Sequence, residues 1–128
     1  MIKRAQIKVT TTGSAGSATG SGRTAESVNG IIRRIDINYH GSCPATADLT
    51  MVQDNEQKAT NIINLANQST DKQVYPAVAL TDSGGTALTY DATRPIYMPM
   101  AVDGELVASI AQADALTDCV VIDIYYEV

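Results

Sequence analysis

A chain of 128 residues, 45% hydrophobic and with a formal charge of −5, is long enough to bury one core and too apolar for a disordered segment. The acidic balance excludes a general nucleic-acid binder, which needs clustered Lys and Arg to neutralise phosphates, and no run approaches the ~18 apolar residues of a membrane span. Phe and Trp are absent and six Tyr carry all the aromatic surface, so the core must come from Ile, Val, Leu, Ala and Met; such a thin core favours burying further surface against a second copy.

In chain order, Ala5, Ile7 and Val9 alternate with polar residues as in a half-buried strand. Residues 13–22 are Gly, Ser, Ala and Thr with almost nothing to place in a core, and read as a flexible surface loop or the hinge of an arm over residues 1–27. Ile35, Ile37 and Tyr39 mark a second strand, with Ile31 and Ile32 side by side at its entry predicting a bulge. Leu49 and Met51 mark a third, followed by turn chemistry at Asp54-Asn55. Residues 59–66 fit a helical stripe or a strand face; Asn61, Asn64 and Asn67 are poor helix formers and favour the strand.

Val78 and Leu80, the turn Asp82-Ser83-Gly84-Gly85, then Leu88 and Tyr90 predict a hairpin. Pro95 and Pro99 place the segment between them at a sheet edge or in a surface loop, because proline donates nothing to a ladder. Asp103-Gly104 predicts a tight hairpin between Val102 and the run Leu106, Ala108, Ile110. In the last strand Val120, Ile122, Ile124, Tyr126 and Val128 share one face, and Val121 and Tyr125 keep the other partly apolar, so it belongs at a sheet centre. About eight short strands without a helix predict an all-β, antiparallel β-sandwich of jelly-roll type in a single domain, residues 1–128.

Candidate chemistry is sparse. Residues 17–24 resemble a phosphate-binding loop, with Ser17 where its first Gly belongs and Arg23 in place of Lys, and no helix is expected after them. His40, Cys43 and Cys119 supply three soft ligands and no fourth for zinc. The two cysteines make no disulfide framework and are expected as free buried thiols. Asp54, Asp71, Asp82, Asp103 and Asp118 sit where turns want carboxylates. No catalytic, cofactor-binding or metal-binding residue is therefore expected, nor an enzyme.

Charge is polarised along the chain. Residues 1–40 hold six basic and two acidic side chains, a balance of +4, and the remainder stands at −9; the basic end suits an acidic protein surface or a second copy. Lys3, Arg4, Lys8, Arg33 and Arg34 are the charged candidates for partner contact, and Tyr97, Met98 and Met100 the apolar ones. Alternation sends Met98 and Met100 to one face and Tyr97 to the other. Residues 1–6 are basic without the apolar run of a signal peptide, so synthesis in a cytoplasm is expected.

Residues 28–128 resemble the jelly-roll cement or decoration proteins of tailed-phage capsids. The likeness lies in the textures Ile35-Asp-Ile-Asn-Tyr39, Pro44-Ala-Thr-Ala-Asp48-Leu-Thr50, Asn67 to Asp71 before Tyr75-Pro76, the Asp82-Ser-Gly-Gly turn and the closing run from Asp118 to Glu127. It implies a protein that joins the capsid surface of the virion as a homodimer or homotrimer and clamps the major capsid protein, with neither nucleic acid nor membrane as partner. The alternative from another class is a receptor- or glycan-binding module of a head fibre or tail, for which Tyr75, Tyr90 and Tyr97 would have to stack the sugars.

Overall fold

The computed structural model describes residues 1–54 and 61–128, and every regular element in them is a β-strand. Asn55 of the expected Asp54-Asn55 turn and Ala59 of the ambiguous stripe lie outside the described residues. One sheet runs β1 (Ile2–Val9), β11 (Val120–Glu127), β3 (Val28–Tyr39), β6 (Lys72–Val74), with β9 (Ala101–Gly104) on the early half of β3. The second runs β2 (Ala18–Arg23), β10 (Leu106–Ala113), β4 (Asp48–Gln53), β5 (Asn61–Leu65). A two-stranded ribbon, β7 (Ala77–Ala79) with β8 (Tyr97–Pro99), stands apart. Setting β7, β8 and β9 aside, the strands read 1-8-3-6 and 2-7-4-5 along the chain, an antiparallel jelly roll in which residues 75–105 elaborate one connection.

The period of two builds the core. Register lays Ile7, Ile122 and Ile37 in one row and Ala5, Ile124, Ile35 and Val74 in the next. The second sheet turns Leu49, Met51, Leu106, Ala108 and Ile110 into the same core. Each fully buried Ile or Leu contributes about 1.5–3 kcal/mol, so this aliphatic double layer suffices without Phe or Trp. β11 is central, β5 is a strand, and the bulge on β3 falls at Arg33, where Tyr125 pairs with Arg34 but Tyr126 with Ile32. It brings Ile32 to the core while Ile31 stays at the surface.

Three expectations are corrected. Residues 13–22 are not a loop throughout: Thr12 and Thr19 exchange backbone hydrogen bonds of 3.0 Å, and β2 starts at Ala18. Its glycines are there for contact. A Cβ on Gly20 would stand 2.4 Å from the Thr10 carbonyl oxygen, so only glycine lets β2 pass this close to the end of β1.

Asp103-Gly104 makes no hairpin, because β9 pairs with β3 in one sheet while β10 pairs with β2 and β4 in the other. The Gln53 side chain takes Asp103 on both sides, donating to its carbonyl at 3.0 Å and accepting from its N–H at 3.1 Å, and Leu106 pairs instead with Thr24. The chain thus crosses between layers at Gly104. Finally, the main partner of the strand before the Asp82 turn is not residues 88–90 but β8, with Ala77 opposite Pro99 and Ala79 opposite Tyr97. The expected hairpin is present in short form, closed by a Leu88–Leu80 hydrogen bond, a bridge between Thr81 and Ala87, and the Asp82 N–H donating to the Thr86 carbonyl at 3.0 Å.

Candidate functional site

Residues 75–99 form an arm of which nearly every side chain is exposed or half-buried, so local hydrogen bonds rather than burial fix its shape. Asp82 accepts from the N–H groups of Gly84 and Thr86 at 2.9 and 3.0 Å. Asp91 accepts from the N–H groups of Thr93 and Arg94 at 3.1 and 2.7 Å, which holds Ala92 in the left-handed region at φ 70°. The backbone and side-chain bonds from Arg94 lead in lowering the Asp91 carboxyl to about 2. The Arg94 guanidinium also lies 5.0 Å over the Tyr90 ring.

At the base of the arm the β7–β8 ribbon meets the β3 bulge. Ile32, Arg33, Tyr75, Pro76, Ala77, Tyr97, Met98 and Pro99 enclose a shallow cleft of about 280 Å³. Tyr75 and Tyr97 are 66% and 63% exposed. Arg33 is anchored there by Glu127, whose Oε2 accepts from Nε at 2.6 Å and also meets Nη2. A guanidinium has five N–H donors, so this pairing leaves some for a ligand.

The structure therefore brings Arg33, Tyr97 and Met98 together, with Tyr75 as a fourth member. Tyr97 and Met98, neighbours in β8, both line this cleft. Met100 is only 7% exposed and packs in the core, which removes it as a surface contact. Tyr90 sits away at the arm's tip, under Arg94. The partner of Arg33, Glu127, had no signal in the sequence, since 94 residues separate the two.

The other basic candidates spread over the first sheet. Arg4, Tyr125 and Arg34 lie in register across its outer face, and Lys8 lies opposite Val121 on the same face; Lys3, opposite Tyr126, points to the other. Arg34 is already engaged: its guanidinium sits 4.4 Å over the Tyr125 ring, with Nε 3.0 Å from Asp36 Oδ1. That last contact is an ion pair without hydrogen-bond alignment. The bulge thus separates Arg33 from Arg34, and the two do not act as one basic cluster.

Two further regions hold candidate groups. A hollow of about 440 Å³ lies on the outer face of the second sheet among Thr19, Ser21, Asp48, Thr50, Ser109 and Ala111, and has no aromatic wall. The turn after β3 brings Cys43 and Cys119 together, with Sγ atoms 3.6 Å apart, both buried thiols. His40 aims Nδ1 at the Ser42 N–H at 3.0 Å, inside its own turn. Among the described residues no group of three or more His, Cys, Asp and Glu side chains comes together to hold a metal. Residues 18–23 are strand, and no helix among the described residues follows them, so the phosphate-loop letters have no phosphate-loop geometry.

No family model and no curated protein matches the chain. Among solved structures it is similar to FLHE, at 14% identity and TM-score 0.44 over 99% of this chain and 98% of that one. It is also similar to the family 32 CBM from C. perfringens NanJ in complex with galactose, at 14% identity and TM-score 0.40 over 87% and 68% of the two chains. A third is CBM32-3 from a family 31 glycoside hydrolase from Clostridium perfringens, at 12% identity and TM-score 0.32 over 100% and 76%. Likeness at this level carries no residue and no ligand across to this chain.

Proposed function

We propose that this chain is a non-catalytic binding module that holds a saccharide in the cleft between Tyr75 and Tyr97. One observation carries the reading: a chain without Phe or Trp leaves three of its six Tyr largely exposed on the arm, two of them lining one cleft. A pyranose ring has an apolar C–H face and a rim of hydroxyls. The tyrosine faces suit the first, and the tyrosine hydroxyls and Arg33 suit the second. The aromatics stand on a connection whose turns are tied by Asp82 and Asp91, so little ordering is left for the ligand to bring about.

A glycan array followed by titration of the strongest hit tests this. Tyr75→Ala and Tyr97→Ala should each weaken binding about tenfold, the loss of ~1.4 kcal/mol, while Tyr90→Ala at the tip leaves it unchanged. An array without hits would refute the reading.

The second reading is capsid decoration, in which the same surface docks on the major capsid protein and the chain works as a dimer or trimer on the shell. It is favoured by the aliphatic residues Leu88, Ile96 and Met98, exposed on the same arm, which suit a protein surface better than a sugar. Purified particles carrying the chain at a copy number tied to the capsid lattice would support it over saccharide binding.

A further inference from the structure

We infer that Cys43 and Cys119 are a redox modification site, at which a small-molecule disulfide converts the two thiols into an internal cross-link. The residues are 76 apart in sequence, yet their sulfurs lie 3.6 Å apart in the core. Backbone bonds set that separation. The His40 N–H donates to the Cys119 carbonyl at 2.8 Å, and the Cys43 N–H donates to the His40 carbonyl at 2.9 Å, so the turn bearing Cys43 hangs from Cys119 itself. A disulfide needs sulfurs about 2.05 Å apart. The missing 1.5 Å or so falls to movement of the turn that bears Cys43, where Gly41 and Ser42 are exposed and a Cβ on Gly41 would meet nothing within 4 Å.

The exchange proceeds in two steps. The Cys43 thiolate attacks one sulfur of the incoming disulfide, forming a mixed disulfide and expelling the other half as a thiolate. The Cys119 thiolate then attacks the Cys43 sulfur, closes the Cys43–Cys119 bond and expels the second half. Two protons pass from the protein thiols to the two released thiols, and the small disulfide is the species reduced. Cys43 is the entry point because it keeps 8% exposure where Cys119 has none. Burial pushes the Cys43 thiol up to about 12, so the reaction waits on opening of the turn and is slow at neutral pH. The cross-link joins the residue just before β11 of one sheet to the connection that leads into β4 of the other.

The experiment incubates the folded, reduced full-length chain with oxidised glutathione and follows intact mass, iodoacetamide trapping and melting. The expected product is monomeric, about 2 Da lighter, with neither thiol trapped, and melts roughly 10–15 °C higher, the effect of closing a loop of this length. Cys43→Ser should show neither change. A chain that keeps two trappable thiols, stops as a glutathione adduct or forms cross-linked dimers would overturn the proposal. So would internal oxidation seen only after unfolding in guanidinium, a comparison that needs no variant.

Discussion

Replacing Gly20 by Ala tests whether the small-residue stretch of residues 13–22 is structural contact or slack. A Cβ built on Gly20 lies 2.4 Å from the Thr10 carbonyl oxygen, 3.1 Å from that carbonyl carbon and 3.1 Å from Val9 Cγ1. Ordinary carbon–oxygen contacts are about 3.3–3.6 Å, so β1 and β2 must part by close to an ångström where both carry backbone. Overpacking of this kind costs ~1–3 kcal/mol, set against a gain of about 0.4–1 kcal/mol from stiffening the unfolded chain. Gly41→Ala is the control, since a Cβ there meets nothing within 4 Å, and only the unfolded-state gain remains. The two variants should therefore differ by ~1–3 kcal/mol, or on the order of 1 M in urea midpoint at a typical slope. Coincident midpoints would refute the close-approach reading and return residues 13–22 to a loop without structural duty.

Burial raises Tyr39 and Cys43 to about 12 from 10.0 and 9.0. The folded chain then keeps protons the unfolded chain has released, so stability should be whole below about pH 9 and fall as pH rises toward 12; a melting temperature flat across that window would contradict it. In the arm, the Leu80 N–H donates to the Ile96 carbonyl at 2.8 Å while the side chains of residues 81–94 are exposed, so replacing residues 81–95 by Asn-Gly should leave the melting temperature within a few degrees. A fall of 10 °C or more would show that the tip supports the fold.

Much of the jelly roll was legible because its core strands keep a strict period of two. Ile35, Ile37, Ile122 and Ile124 announce a buried face, and the partly apolar second face of β11 announces a central position. What failed did so for physical reasons. β2 has no apolar alternation to read, because its core-facing positions are Ala18, Gly20 and Gly22, chosen for closeness. Asp103-Gly104 carries true turn letters, yet the Gln53 side chain from a distant strand takes the hydrogen bonds a hairpin would need. The site was half legible: Tyr75, Tyr97 and Arg33 each stood out as exposed candidates. Their meeting depends on a pairing of Ala77 with Pro99 that proline argues against within a central sheet and permits only in a peripheral ribbon.

Fold and site are coupled at Arg33. Along β3 the pairing partner on one side changes, from β9 opposite Val28, Asn29, Gly30 and Ile31 to β6 opposite Ile35, Asp36 and Ile37. Between these runs the strand carries an extra residue against β11, and without it Ile32 and Ile35 could not both face the core. That extra residue is Arg33, which is turned outward to Glu127 and the cleft beneath the arm. A straight strand that kept all its residues would therefore turn Ile31 and Arg33 inward in place of Ile32 and take the guanidinium away from Tyr75 and Tyr97. The change of partner and the bulge thus fall at the same point of β3, and together they set an anchored cation beside exposed aromatic rings.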